Sequence, residues 1–234
     1  MAVLHRESID IQVNGSRVTA LIIRPEGQEP LPGVVQIQEW WGIEPHVVDM
    51  AQRLASEGFV VLVPDLYHGK VVTEPDEAGK SVMMLHGNLE HAVKEIGAAI
   101  DALKARPDVE PKQVGVMGYC VGGLLTWLTA LRNDNVAAAV PWYAGGFDPT
   151  PQDISGLQAP VLAIFGGKDQ SIPAAQREKI EGLLKEAGKN AQVLVYPEAG
   201  HAFMNPDHGM GHEASAQDAW PKAVAFLKQH LSKQ

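Results

Sequence analysis

Short, wholly apolar runs recur along this chain, separated by amphipathic stretches, and that alternation restricts the fold more than any other feature. GVVQIQ (33–38) and FVVLVPD (59–65) are continuous apolar runs, as expected of strands buried on both faces. Between them, VVDMAQRLASEG (47–58) spaces Val48, Ala51, Leu54 and Ala55 on one helical face and stops at Gly58. NLEHAVKEIGAAIDALKAR (88–106) reads as a second helix ended before Pro107, and QVGVMG (113–118) as the next strand. VAAAVPWY (136–143), APVLAIFG (159–166) and AQVLVYP (191–197) complete the strands, with helices over 174–188 and 219–231. At the start, SIDIQV and RVTALIIR flank Asn14-Gly15, a hairpin signal. Together these predict an α/β domain spanning 1–234: a mainly parallel sheet with helices on both faces and an N-terminal antiparallel hairpin. The segment 67–88 is the least regular and reads as a cap-like excursion.

Composition narrows the function. The formal net charge of −9 leaves no cationic excess for phosphate backbones, so no nucleic-acid partner is expected. No apolar run is long enough to span a membrane, and the opening MAVLHRESIDIQ has no basic flank ahead of an apolar core. The single cysteine rules out an internal disulfide and suits a reducing compartment, so a cytoplasmic location is expected. GYCVGGLLT lacks the G-K-[ST] of a phosphate-binding loop, and no cofactor is expected. In DHGMGHE, His208 and His212 would share a helix face, but Gly209 and Gly211 argue against a helix there, so no metal is expected.

In an open parallel sheet, ligands bind beyond the C-terminal ends of the strands. Glu39 and Trp40 follow the strand 33–38, Cys120 follows 113–118, Trp142 and Tyr143 end 136–143, Asp169 follows 159–166, and His201 follows 191–197. VGVMGYCVGGLL has the strand–turn–helix form of a nucleophile elbow, with Cys120 where a serine is usual. A thiol attacks as thiolate, and the helix beginning at Val121 together with His201 would favour that form. His201 would accept the thiol proton and return one to the leaving group, with Asp169 fixing its tautomer. The backbone N–H groups of Trp40 and Val121 would form the oxyanion hole. Buried cysteines are commonly inert packing, and Asp169 could instead cap a loop. The residues alone leave Glu39 open between a solvated loop acid and a functional one. The tryptophans and Tyr143 are read as pocket walls or core.

QEWWG, VVLVPDLYHG, GVMGYCVGG, GGKDQSIP and YPEAGHAF occur in order, and the chain resembles the dienelactone hydrolase family of the α/β-hydrolase superfamily along nearly its whole length. The resemblance implies Cys120 as nucleophile, Asp169 and His201 as its partners, and Glu39 as an acid that contacts the thiol and helps ionise it once substrate arrives. The family's dienelactone-cleaving members bind the substrate carboxylate with two arginines, one after the PDLY strand and one four residues past the histidine. Here no arginine lies between Arg53 and Arg106, and the second position is Asn205. Losing such charge-assisted bonds would cost an anionic substrate roughly 1.5–3 kcal/mol each. Lys70 or Lys80 could supply only a point charge. Trp41, Met83, Met84, Leu85, Trp142, Tyr143, Met204 and Asn205 suggest a pocket for neutral, aryl or activated substrates. The expected activity is ester or lactone hydrolysis through an acyl-thioenzyme by a monomer or small homo-oligomer, with metal-free phosphotriester cleavage alongside. The alternatives are a true dienelactone hydrolase with another carboxylate-binding group, and an inactive binding protein on the same scaffold.

Overall fold

The computed structural model describes residues 3–27 and 29–231. β1 (Leu4–Val13) and β2 (Ser16–Pro25) pair antiparallel around Asn14 and Gly15, which take positive φ of 47° and 85°. That is the backbone a two-residue hairpin needs. There follow β3 (Leu31–Ile37), α1 (Pro45–Ser56), β4 (Val60–Pro64), α2 (Pro75–His86), α3 (Leu89–Ala105), β5 (Val109–Tyr119) and α4 (Val121–Arg132). The chain continues with β6 (Val136–Trp142), α5 (Pro151–Ser155), β7 (Val161–Gly166), α6 (Ala174–Glu186), β8 (Ala191–Tyr196) and α7 (Glu213–Leu231).

The strands form one sheet in the order β1-β2-β4-β3-β5-β6-β7-β8. β2 meets β4 antiparallel, and every pairing from β4 to β8 is parallel. From β3 the chain first steps to β4, then returns past β3 to lay down β5 and all later strands on the other side. This reversal opens a crevice beyond the C-terminal ends of β3 and β5. Every residue of β4 and β7 is buried, which explains why they read as unbroken apolar runs.

Helices cover both faces. Gly115 is in register with Val34, and a Cβ added at Gly115 would lie 2.9 Å from Leu231 Cδ1 and 3.0 Å from Leu227 Cδ2 of α7. A Cβ at Gly33, whose side faces the other way, would lie 3.0 Å from Leu103 of α3. The two glycines let α7 and α3 sit close against opposite sides of the central strands.

The irregular segment contains more structure than its composition suggests. α2 starts on Pro75, carries Asp76 and Glu77 in its first turn, and buries only Ala78, Ser81 and Leu85. So narrow an apolar stripe is easily missed. α5 is a single turn closed by a Thr150–Asp153 capping box, and α7 starts at Glu213 rather than 219, with Pro221 inside it. Among the described residues, no helix is long and apolar enough to cross a membrane.

Two glycine substitutions test this packing. Gly115→Ala should lower the unfolding free energy by about 1–3 kcal/mol, because the new methyl overpacks against α7. Gly182→Ala, in α6 with no heavy atom within 4 Å of its Cβ position, should raise it by about 0.5–1 kcal/mol. Urea titration of both variants checks the contrast.

Candidate active site

Cys120 occupies the step between β5 and α4 at φ 56° and ψ −115°, a conformation that is strained for any residue with a side chain. Its neighbours show why glycines surround it. A Cβ at Gly118 would sit 2.3 Å from the Gly122 carbonyl oxygen, and one at Gly122 would sit 2.4 Å from the Gln38 carbonyl oxygen. A Cβ at Gly123 would reach 2.5 Å from the Trp142 carbonyl oxygen. These contacts are with backbone, which cannot move aside. The turn is thereby pressed against the ends of β3 and β6, and the Cys120 N–H donates to the Trp142 carbonyl at 3.1 Å. Val121 is the first residue of α4, so the helix offers its N–H no carbonyl.

The loops after β7 and β8 are joined in the same way. The Gly167 N–H donates to the Tyr196 carbonyl at 2.7 Å, and the Lys168 N–H donates to the Ala199 carbonyl at 2.9 Å. A Cβ at Gly166 would lie 2.4 Å from the Gly200 carbonyl oxygen. This seam brings Asp169 to His201, with Oδ2 2.7 Å from Nδ1. Asp169 Oδ1 accepts from the Ser171 N–H at 2.9 Å and from the Ser171 hydroxyl at 2.6 Å. With Nδ1 committed to Asp169, the other ring nitrogen is left for Cys120, whose proximity raises the basicity of the ring.

The charges follow from these contacts. Burial alone would lower the pKa of His201, but hydrogen bonds to Asp169 and Cys120, with the charges of both, push it up to about 10. Burial would raise the Asp169 carboxyl, and the bonds from His201 and Ser171 bring it below its usual range. Glu39 is the opposite case. It is 1% exposed, and burial, aided by the negative charge of Glu44, raises its pKa against the donors Asn205 and Tyr143 and the charge of His201. The Tyr143 hydroxyl donates to Glu39 Oε1 at 3.0 Å, and Asn205 Nδ2 donates to Oε2 at 2.6 Å.

A cavity of about 640 Å³ is lined by Cys120, His201, Asp169, Glu39, Trp40 and Val121, so the six expected reacting and oxyanion-binding residues share one space. The six expected wall residues lie elsewhere. Met83 is 75% exposed on α2. Trp142 is fully buried beneath the elbow, where its backbone rather than its ring supports the turn. Trp41 is buried and stacks on the His208 ring at 4.1 Å. Met204 faces a separate cavity with His46 and Asp49. Tyr143 and Asn205 sit behind Glu39 and hold it. Met84, Leu85 and Lys70 line a different cavity, beside α3, and Lys80 lies on neither wall.

The actual wall comes from Val82 and His86 of α2, from Gly145 and Gly146, and from Lys168, Gln170, Ser171, Ala202 and Met210. Val82 and His86 stand four apart on one helix face, a spacing visible only once α2 is recognised. Ser171 had a local signal, a hydroxyl two residues past an aspartate at a strand end. Among the described residues, no group of three or more His, Cys, Asp or Glu side chains is arranged to hold a metal ion.

The raised His201 pKa sets a pH dependence of stability. A proton held more tightly in the folded state stabilises it fully below the unfolded value of about 6.5, and that contribution is lost as pH rises through about 10. Urea unfolding should therefore show stability falling across that window, and His201→Gln should flatten the fall.

The chain matches the model of the dienelactone hydrolase family over residues 18–231. It is 34% identical over 242 residues to a Yersinia pestis protein provisionally named a carboxymethylenebutenolidase, covering 97% of this chain and 89% of that one. Protein usf of Aquifex pyrophilus is 34% identical over 235 residues, covering 97% and 99%. The crystal structure of a Klebsiella pneumoniae protein, provisionally named a dienelactone hydrolase, superposes with a TM-score of 0.87 at 30% identity, covering 97% and 99%. A metagenomic protein described as a dienelactone hydrolase-like promiscuous phosphotriesterase shares the fold, with a TM-score of 0.91 at 23% identity, covering 99% and 100%.

Proposed function

The chain belongs to the dienelactone hydrolase family and is a hydrolase of the α/β-hydrolase fold, and from that premise we propose that it cleaves neutral carboxylic esters or lactones through Cys120, His201 and Asp169. The observation that carries the reading is Cys120 at its strained turn, sharing one cavity with a His201 whose Nδ1 is bonded to Asp169.

In the attacking form Sγ is a thiolate and the proton it gave up rests on His201 as the imidazolium that Asp169 favours, with Glu39 on the same cavity as a second acceptor while substrate binds. Sγ attacks the carbonyl carbon, and the oxygen that gains the charge is held by the N–H groups of Trp40 and Val121. The C–O bond breaks as His201 returns its proton to the leaving alkoxide, leaving an acyl-thioenzyme. A water molecule then gives a proton to His201 and attacks the thioester carbonyl. Departure of the thiolate, reprotonated by His201, releases the acid.

The wall supports a neutral substrate. Trp40, Val82, Val121, Ala202 and Met210 are apolar, and Lys168 is already engaged by the Glu198 carboxylate. A second reading, an anionic dienelactone, is favoured by the presence of His86 and Lys168 on that wall. A neutral aryl phosphotriester would also fit the site, with Cys120 attacking phosphorus, the aryl oxide leaving with the His201 proton, and water hydrolysing the thiophosphoryl bond.

Cys120→Ala should lower kcat/KM for a p-nitrophenyl ester by at least ~10³, the scale on which losing a nucleophile acts. A variant that hydrolyses at the wild-type rate would exclude the thiol mechanism. With wild-type enzyme, the neutral methyl ester of a dienelactone acid should be preferred over the acid by about tenfold, or about 1.4 kcal/mol. The reverse preference, lost in His86→Ala or Lys168→Ala, would establish the anionic reading. An aryl dialkyl phosphate run in the same assay should release nitrophenol over many turnovers despite chelator, and permanent inactivation after one equivalent would remove the triester activity.

A further inference from the structure

Behind Glu39 a chain of buried polar groups runs outward from the cavity and takes no part in the steps above. Asn205 is fully buried, and its Oδ1 accepts the Asp207 N–H at 3.1 Å. That bond fixes which way the amide faces, so both Nδ2 hydrogens must point to the other side. There they meet two carboxylates, Glu39 Oε2 at 2.6 Å and Glu44 Oε1 at 3.2 Å. The other oxygen of Glu44, Oε2, accepts from His208 Nε2 at 2.8 Å. The His208 ring lies flat on Trp41, with 4.1 Å between centroids and 12° between planes. Glu44 is 7% exposed, whereas the His208 side chain keeps 26% of its surface open.

We propose that Glu44 and His208 are positioning residues for the hydrolysis: through Asn205 they set the orientation and the charge of Glu39 beside Cys120. The inference rests on the reading of Glu39 and Cys120 given above. Glu39 keeps both oxygens turned toward donors only while Asn205 presents its amide to it. Asn205 in turn is shared with a second carboxylate whose far oxygen His208 ties down. The negative charge of Glu44 makes a proton on Glu39 more favourable, and the donor His208 gives to the far oxygen of Glu44 draws on that charge.

The charged and titratable groups facing this chain are few. Glu39 meets Tyr143 from the end of β6, His201 and Asn205 from the loop after β8, and Glu44 from its own loop; its charge also reaches Tyr119 of β5. Glu44 faces Glu39, His208 and His46, and His46 also meets Asp49, Arg53 and Asp207. His208 faces Glu44 and the Trp41 ring.

Two substitutions should move the same quantity in opposite directions. In Glu44→Gln the acidic limb of kcat/KM for p-nitrophenyl acetate should move down by about one pH unit, the size of effect a neighbouring like charge exerts. In His208→Gln it should move up, because Glu44 is no longer offset, with KM little changed. His208→Lys, which restores a cation at this partly open position, should return the limb toward wild type and keeps the test available if Glu44→Gln does not fold. Limbs that stay at the wild-type pH, or that shift together in the same direction, would overturn the proposal. So would a limb that survives in Glu39→Gln, and the Cys120 reading, tested separately by Cys120→Ala, would then still stand.

Discussion

The turn at Cys120 is the constraint around which the site is assembled. A non-glycine residue at φ 56° and ψ −115° is unfavourable by about 1–3 kcal/mol unless its surroundings hold it there. Here the surroundings are backbone: Gly118 against Gly122, Gly122 against Gln38, and Gly123 against Trp142. The close approach to Gln38 places the residues after β3, Glu39 and Trp40, beside the thiol. The approach to Trp142 does the same for Tyr143, which then reaches Glu39. One strained residue thus brings together a thiol, a carboxyl group and its hydroxyl donor from strands far apart in sequence.

The electrostatics divide Asp169 and Glu39 by partner, because burial pushes both toward the neutral form and only specific contacts oppose it. Asp169 has three donors from Ser171 and His201, and these overcome its desolvation. Glu39 has two donors but a second carboxylate close by, and desolvation prevails. His201 lies between two groups that favour its cation, and they outweigh its burial. Pairs of titratable groups driven in opposite directions within one cavity mark a place where protons can be exchanged at modest driving force.

Much of this was legible in the sequence because a strand end is a local property. Cys120, Asp169, His201, Glu39, Trp40 and Val121 could each be placed by finding an apolar run and reading the residues just past it. The mainly parallel sheet, the hairpin and the helices on both faces follow from the same periodicities, whereas the order of the strands does not. The walls were not legible in this way. Val82 and His86 come from a helix whose apolar stripe is three residues wide, and Gly145 and Gly146 contribute by lacking side chains. Trp142 and Tyr143 do end a strand, but the residues there alternate in facing and both rings turned into the core. The partners of Glu39 stand 104 and 166 residues away, beyond any window in which a pattern could be recognised.

Asn205 connects the missing cation to the chemistry of the site. Where the resemblance to the family's dienelactone-cleaving members implies an arginine, this chain has a neutral amide, fully buried between Glu39 and Glu44. A guanidinium there would supply a positive charge to a substrate carboxylate and would also neutralise the acids around it. An amide supplies neither: it satisfies the two carboxylates by hydrogen bonding and brings no charge of its own. Glu39 and Asp169 therefore line the cavity, with Glu44 behind, and position 205 adds no cation to them. On the proposed reading the amide at position 205 thus has two effects: it holds Glu39 in place, and it withholds from anionic substrates the contact an arginine would give, which favours uncharged ones.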